Sequence, residues 1–117
     1  MEAAYKKLEI WTLSVKLVKD VYGLCAKLPA CEEYNLKSQL RRSVVSIALN
    51  IAEGKSRRTA KDFANFLNVS AGSVAEVGAI LSLCEELNYL DNFKKVYSDI
   101  EILGMKINAL RRSLNNK

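Results

Sequence analysis

Apolar residues recur at alternating spacings of three and four in four long stretches of the chain, and this period predicts four α-helices. In the first stretch the apolar stripe is Leu8, Trp11, Val15, Val18, Tyr22 and Cys25. The second stripe is Leu40, Val44, Ile47 and Ile51. The third is Phe63, Leu67, Ser70, Val74, Val77, Leu81 and Cys84, continuing towards Leu87, and the fourth is Phe93, Val96, Ile100, Leu103, Ile107, Leu110 and Leu114.

Turn-forming and capping residues predict where these helices begin and end. Pro29 cannot continue a helix, so the first one is expected to end near Leu28. The other boundary signals are Asn35 as N-cap of the second helix, Gly54 as its left-handed C-terminal residue, a Thr59–Asp62 capping box for the third helix, and Asp91 as N-cap of the fourth. The short connections favour antiparallel neighbours, so we expect an all-α, up-down-up-down antiparallel four-helix bundle that forms one domain over residues 1–117.

The second helix departs from simple amphipathicity. It carries no charge between Arg42 and Glu53, and apolar residues spread around most of its circumference. A helix that is apolar on nearly all sides is buried on nearly all sides, so this pattern favours self-association over an unusually central helix in a monomer. The candidate oligomer interface is formed by Val45, Ala48, Leu49 and Ala52.

Composition weighs against an enzyme. The chain is 50% hydrophobic and 26% charged, which is typical of a soluble globular domain, and it contains no histidine. Its three cysteines are too scattered for a metal knuckle, and we expect Cys25 and Cys84 to be buried as small hydrophobes. The sequence therefore predicts no catalytic residue, no metal and no cofactor. Neither a secretory signal nor a membrane segment is expected, so the predicted location is cytoplasmic, with no membrane partner.

Charge is distributed unevenly along the expected bundle. One end would gather the N-terminus, the connection between the second and third helices, and the C-terminus, and the entire net charge of +5 falls there. Its basic residues are Lys6, Lys7, Lys55, Arg57, Arg58, Lys61, Arg111, Arg112 and Lys117, against the acidic Glu2, Glu9, Glu53 and Asp62. All of these basic residues except Lys117 are candidate nucleic-acid-binding residues, because such a face suits a polyanion. The alternative is a solvated face that only keeps the protein soluble.

Arg41 and Arg42 form a second basic candidate, since guanidinium groups match phosphate oxygens bidentately. Positive charge near a helix N-terminus opposes the helix dipole, which indicates that these arginines have a partner. Pairing within the chain or between subunits, with Glu32, Glu33 or an acidic helix end, is therefore favoured over direct contact with nucleic acid.

Four segments of the chain carry a resemblance to a known family. They are residues 5–11 (YKKLEIW), 39–47 (QLRRSVVSI), 50–58 (NIAEGKSRR) and 62–76 (DFANFLNVSAGSVAE). In their order and spacing they resemble the four-helix-bundle proteins encoded in intervening sequences of bacterial 23S ribosomal RNA genes. That family is related to the accessory variability protein of diversity-generating retroelements. The resemblance implies a homopentameric ring with a basic surface and, from the retroelement relatives, binding of nucleic acid and of a reverse transcriptase.

Two departures from the family pattern stand out. Ala48-Leu49 replaces the usual Pro-Ser, which leaves open whether the second helix is kinked, and residues 74–77 (VAEV) replace the usual Leu-x-Glu-Leu. Taken together, the residues and the resemblance predict a non-enzymatic, oligomeric protein that binds nucleic acid, RNA rather than DNA, through the basic end. The alternative function is a protein-interaction scaffold or adaptor that does not bind nucleic acid itself.

Overall fold

Four α-helices make up most of the computed structural model, which describes residues 3–90 and 93–117. They are α1 (Glu9–Cys25), α2 (Leu36–Lys55), α3 (Ala60–Glu86) and α4 (Lys94–Asn115), with short 3₁₀ turns at Ala4–Lys7 and Ala30–Glu32. No strand occurs in the two described ranges. α1 packs against α2 and α4, and α3 packs against the same two helices, so the four helices close around one core in a bundle of 45 × 28 × 22 Å.

The core confirms the predicted stripes of α2, α3 and α4. Leu40, Val44, Ile47 and Ile51 of α2 are completely buried. The predicted residues of α3 are buried from Phe63 to Cys84, and those of α4 are buried apart from the half-buried Leu110. Burying a Leu, Ile or Val side chain contributes about 1.5–3 kcal/mol each, so these stripes dominate the stability of the bundle. The extension of the α3 stripe to Leu87 was wrong, because Leu87 is exposed.

The predicted stripe of α1 was largely on the wrong face. The residues that α1 buries in the core are Ile10, Ser14, Leu17, Val21, Leu24 and Cys25, and only Cys25 belongs to the predicted stripe. Ser14 is tolerated in the core because its hydroxyl donates to the Trp11 carbonyl oxygen at 2.7 Å. The predicted stripe instead lies along the side of α1 and is only partly covered, with Tyr22 exposed. α1 also ends at Cys25, three residues before the predicted boundary.

Gly54 has a different role from the predicted one. α2 continues through Gly54 to Lys55, and no glycine in the chain has a positive φ. A Cβ atom built on Gly54 would lie 2.8 Å from Cδ1 of Phe63 and 2.8 Å from Cβ of Phe66. Gly54 is therefore required because α3 approaches the backbone of α2 closely, and not because the helix turns there. α2 is also continuous through Ala48 and Leu49, so it is helical without a break where the family's proline is missing.

The predicted caps have mixed outcomes. Thr59 is the N-cap of α3, and its Oγ1 accepts from the Asp62 amide at 3.1 Å, as predicted. Asn35 precedes α2 as predicted, but its side chain makes no capping hydrogen bond; it donates to Glu32 and accepts from Gln39. The Asp91 cap predicted for α4 lies outside the described residues.

The C-terminus of α3 has a cap that the sequence analysis missed. Asn88 adopts a left-handed conformation with φ of 60°. The Tyr89 amide donates to the Cys84 carbonyl at 2.9 Å, and the Asn88 amide donates to the Glu85 carbonyl at 2.9 Å. These two bonds define a Schellman motif with asparagine in the position that glycine usually holds.

The third helix is unusually apolar. An 18-residue window of α3 has a mean hydropathy of 1.5, and a third of that window is buried inside the bundle. By length and composition alone α3 would be able to cross a membrane, a property that core helices of water-soluble proteins share. The stripe from Phe63 to Cys84 packs against the other helices.

Candidate nucleic-acid interface

Contacts between the helices bring most of the predicted basic residues to one end of the bundle. The close approach at Gly54 joins the end of α2 to the start of α3. Glu9 at the start of α1 forms an ion pair with Lys106 of α4 at 3.0 Å. Tyr5 shares a groove with Ala52, Glu53 and Ser56 at the end of α2. The last turns of α2 and α4 and the first turns of α1 and α3 therefore lie together.

The connection between α2 and α3 forms the centre of this end. Arg57 is held by two contacts: its Nη2 atom lies 2.6 Å from Oε1 of Glu53, and its guanidinium carbon lies 4.7 Å from the ring centroid of Phe66. The Lys55 ammonium nitrogen lies 5.8 Å from the ring centroid of Phe63. These cation–π contacts orient the two cations against the aromatic residues that pack on Gly54. Arg58 and Lys61 are exposed and form no ion pair with any described residue.

Arg111 and Arg112, adjacent in sequence, differ in their surroundings. Arg111 reaches across to α3 and donates to Oδ1 of Asn68 at 3.3 Å and to Oδ1 of Asn108 at 3.2 Å. Its Nε atom is buried and has no hydrogen-bond partner among the described residues. Arg112 is exposed on α4. Arg111 is thus largely occupied in joining α3 to α4, whereas Arg112 is free to meet an anion.

Lys6 and Lys7 are exposed on the 3₁₀ turn that precedes α1. The turn is fixed by Tyr5, whose ring packs edge-on against Trp11 with centroids 4.6 Å apart. Tyr5 is half-buried there, so its ring is engaged with Trp11 in the free protein. The acidic Glu2, counted at this end in the sequence analysis, lies outside the described residues.

Arg41 and Arg42 have different environments. Arg41 Nη2 lies 2.7 Å from Oε2 of Glu33, which agrees with the pairing that the sequence favoured. This hydrogen bond lowers the pKa of Glu33 and raises that of Arg41. Arg42 is exposed and faces an open groove between α1 and α2 of about 390 Å³, which also borders Tyr22 and Leu49. Only Arg42 of this pair is available to a ligand.

The four candidate interface residues of α2 do not form one exposed surface. Leu49 is 60% exposed and points away from the core, whereas Val45 and Ala52 are half-buried. Ala48 is buried inside the bundle, so its inclusion in the interface was wrong. The physical reason is that Ala48 lies one turn from the buried Val44 and Ile51, on the side of α2 that faces into the bundle.

The three cysteines differ in exposure. Cys25 and Cys84 are buried, as predicted, and burial raises the pKa of both thiols. Cys31 is exposed. Within the described ranges no three His, Cys, Asp or Glu side chains gather closely enough to hold a metal ion.

Comparison with known proteins agrees with the fold. A crystal structure of a protein of unknown function from the S23 ribosomal protein family of Bacteroides thetaiotaomicron superposes with a TM-score of 0.72 and 25% sequence identity. The superposition covers 90% of this chain and 96% of that one. No curated protein matches this chain. The sequence profile of the 23S rRNA-intervening sequence protein family matches residues 6–109. Because this match spans nearly the whole bundle, the chain belongs to the 23S rRNA-intervening sequence protein family.

Proposed function

We propose that this protein is a non-enzymatic, oligomeric nucleic-acid-binding protein that contacts the phosphates of structured RNA with its basic end. The observation that carries the proposal is the gathering of exposed cations from three separate parts of the chain. These cations are Lys6, Lys7, Lys55, Arg58, Lys61 and Arg112, and none of them forms an ion pair among the described residues.

Cations without internal partners are the ones that a polyanion engages most readily. An arginine already paired with a carboxylate must give up that partner, whereas an exposed lysine or arginine exchanges only water and counterions for phosphate. Arg57 and Arg111 are already engaged by other residues of the chain, so in this proposal they mainly hold the surface in shape. The RNA preference is carried over from the family resemblance, since the family description names the 23S rRNA intervening sequence in which such proteins are encoded and not a ligand.

The proposal includes the finer architecture that the sequence predicts. The helices run alternately up and down, copies assemble into a homopentameric ring in the cytoplasm, and a reverse transcriptase is a further partner suggested by the family resemblance. The closed arrangement, in which each helix packs against two others, supports the alternating topology. The exposed Leu49 supports self-association.

The direct test measures the affinity of a labelled RNA hairpin and of a duplex DNA of equal length as the salt concentration is varied. The variant Arg58→Glu/Lys61→Glu/Arg112→Glu reverses three exposed cations and leaves the contacts of Arg57 and Arg111 intact. We expect binding to fall sharply and the slope of log affinity against log salt to decrease by about one for each lost phosphate contact.

The control is Lys94→Glu/Lys95→Glu, which reverses two exposed lysines at the start of α4, one of which, Lys95, lies 3.7 Å from Asp99. It should change the affinity far less. Equal losses in both variants would show a diffuse charge effect and would contradict a binding site at the basic end. Tighter binding of the DNA duplex would contradict the RNA preference.

A protein-interaction scaffold is the second candidate function. It is favoured by the apolar groove beside Tyr22 and Leu49, which is a surface of the kind that proteins recognise. Absence of nucleic-acid affinity, or affinity that does not depend on salt, would support the scaffold over RNA binding.

A further inference from the structure

One side of the bundle presents apolar residues with more cations than anions around them. We call it the α1–α2 face: Trp11, Val15, Val18, Tyr22, Arg42, Val45 and Leu49. Tyr22 and Leu49 are 47% and 60% exposed, and the others except Arg42 are half-buried. Lys16 and Lys19 border Trp11 and Val15 in a second groove on this side, and Arg42 borders Tyr22 and Leu49. Lys16 also lies 3.8 Å from Asp99 of α4, and Glu53 is the one carboxylate that borders Leu49 in the described grooves. The face therefore combines an apolar centre with a positive rim.

α3 presents a second, outward stripe with the opposite charge. We call it the α3 face: Val69, Gly72, Glu76, Ala79, Leu83 and Glu86. All six residues are exposed, and their alternating spacing of three and four repeats the period of the buried stripe on the same helix. Leu83 is 52% exposed, and no lysine or arginine occurs between Lys61 and Lys94. Gly72 and Ala79 leave room for another helix to approach closely.

Two copies of the same face are poorly suited to bind each other. Two α1–α2 faces brought together would oppose their arginines and lysines, and two α3 faces would oppose their glutamates, Glu86 and Glu76, of which Glu76 also accepts from the Ser43 hydroxyl of α2 at 2.6 Å. The α1–α2 face and the α3 face are complementary in charge, and both expose large apolar side chains at helical spacing. A covered α3 face would also account for the apolar outer side of α3, which one copy of the chain leaves in water.

We propose that the α1–α2 face of one copy binds the α3 face of a second copy. This inference rests on the proposed self-association and adds to it which surfaces meet. The contact is head-to-tail, so each copy uses both faces, and repetition closes a ring when the rotation between copies permits it. Leu83 packs into the groove beside Tyr22 and Leu49, and Glu86, one turn further along α3, approaches Arg42 at the rim of that groove.

The test uses one variant on each face, Leu49→Asp and Leu83→Arg, with light scattering at micromolar concentration and circular dichroism to verify helix content. Each variant alone should have the monomer mass of 13.1 kDa. An equimolar mixture should form a one-to-one complex of twice that mass and nothing larger, because each copy retains one intact face. Val45→Asp and Val69→Arg serve the same purpose if a leucine variant fails to fold.

The matched control is Met105→Arg, which changes a 70% exposed apolar residue of α4 on neither face and should retain the wild-type mass. An oligomeric wild type together with an oligomeric Leu83→Arg variant would overturn this inference and leave self-association standing. A mixture that stays monomeric would overturn it equally. A monomeric wild type would overturn the proposed self-association and this inference together, while the RNA measurements would be judged separately.

Discussion

The two ends of the bundle use their charged residues differently. At the end that contains Glu32 and Glu33, two cations are held by one carboxylate: Arg41 and Lys37 lie 2.7 and 3.5 Å from the oxygens of Glu33. Lys27, Arg42 and Lys94 at this end are exposed and form no ion pair among the described residues. At the basic end, one connection alone exposes Lys55, Arg58 and Lys61 without an ion-pair partner in the described residues. The former arrangement holds the structure together, and the latter leaves charge available to a ligand.

The hydrogen bonds at the two ends follow the same division. Glu32 accepts from the Tyr89 hydroxyl at 3.0 Å and from the Asn35 amide group at 3.3 Å, and so it joins the two connections at its end. At the basic end, the close contact between two helices is apolar: Phe63 and Phe66 of α3 pack against Gly54 of α2. Substitutions at the basic end should therefore change the stability mainly through packing. Substitutions at the end that contains Glu32 should change it mainly through polar contacts.

The largest effect on stability is expected from a substitution at Gly54, where α2 and α3 make their close apolar contact. Gly54→Ala places a Cβ atom 2.8 Å from atoms of Phe63 and Phe66, so the two helices must separate. We expect the free energy of unfolding, measured by urea denaturation, to fall by about 1–3 kcal/mol. The control Gly23→Ala adds the same methyl group to α1, where no atom lies within 4 Å, and should stabilise by about 0.5–1 kcal/mol. Similar changes in both variants would contradict the close approach at Gly54.

A smaller effect is expected at the other end, where Asn88 closes α3. Asn88→Ala requires an alanine at φ of 60° and should cost about 1–2 kcal/mol. Asn88→Gly keeps the Schellman hydrogen bonds without a Cβ penalty and should be at least as stable as the wild type. Thermal unfolding of the two variants distinguishes the effect of the backbone conformation at residue 88 from the effect of losing the Asn88 side chain. Equal destabilisation by alanine and glycine would mean that the Asn88 side chain itself stabilises the connection.

The sequence predicts the fold more completely than it predicts which face of each helix is buried. The four helices and the stripes of α2, α3 and α4 follow from apolar periodicity, because in each of these helices the predicted stripe is the buried one. In α1 the sequence offers two stripes, and the buried one contains Ser14, whose hydroxyl donates to a carbonyl oxygen one turn away in the same helix. Only the packing of the other helices decides between two such stripes.

The candidate site, like the buried faces, could be predicted only in part from the sequence. The composition of the basic segments identifies the residues, but the partners of the individual arginines depend on tertiary contacts. Arg57 and Arg111 are engaged by Glu53, Phe66 and Asn68, two of which belong to another helix. From the sequence, Gly54 was predicted to end α2, because glycine is common both at helix ends and where two helices approach closely. Only the position of α3 distinguishes these two roles.

The smallest predicted effect depends on pH and concerns the contact between Tyr89 and Glu32. The hydrogen bond to Glu32 raises the pKa of Tyr89 to about 12 from the ordinary value of 10.0. Because the folded-state pKa is the higher one, this contact stabilises the protein fully below pH 10.0 and is lost as the pH rises towards about 12. Tyr89→Phe should therefore be less stable than the wild type at neutral pH, and the difference between their urea midpoints should shrink as the pH rises through this window. Taking the difference cancels the titration of groups that both proteins share. A difference that stays constant to strongly alkaline pH would show that the Tyr89 hydroxyl does not donate to Glu32, and that the polar junction at this end of the bundle is held in some other way.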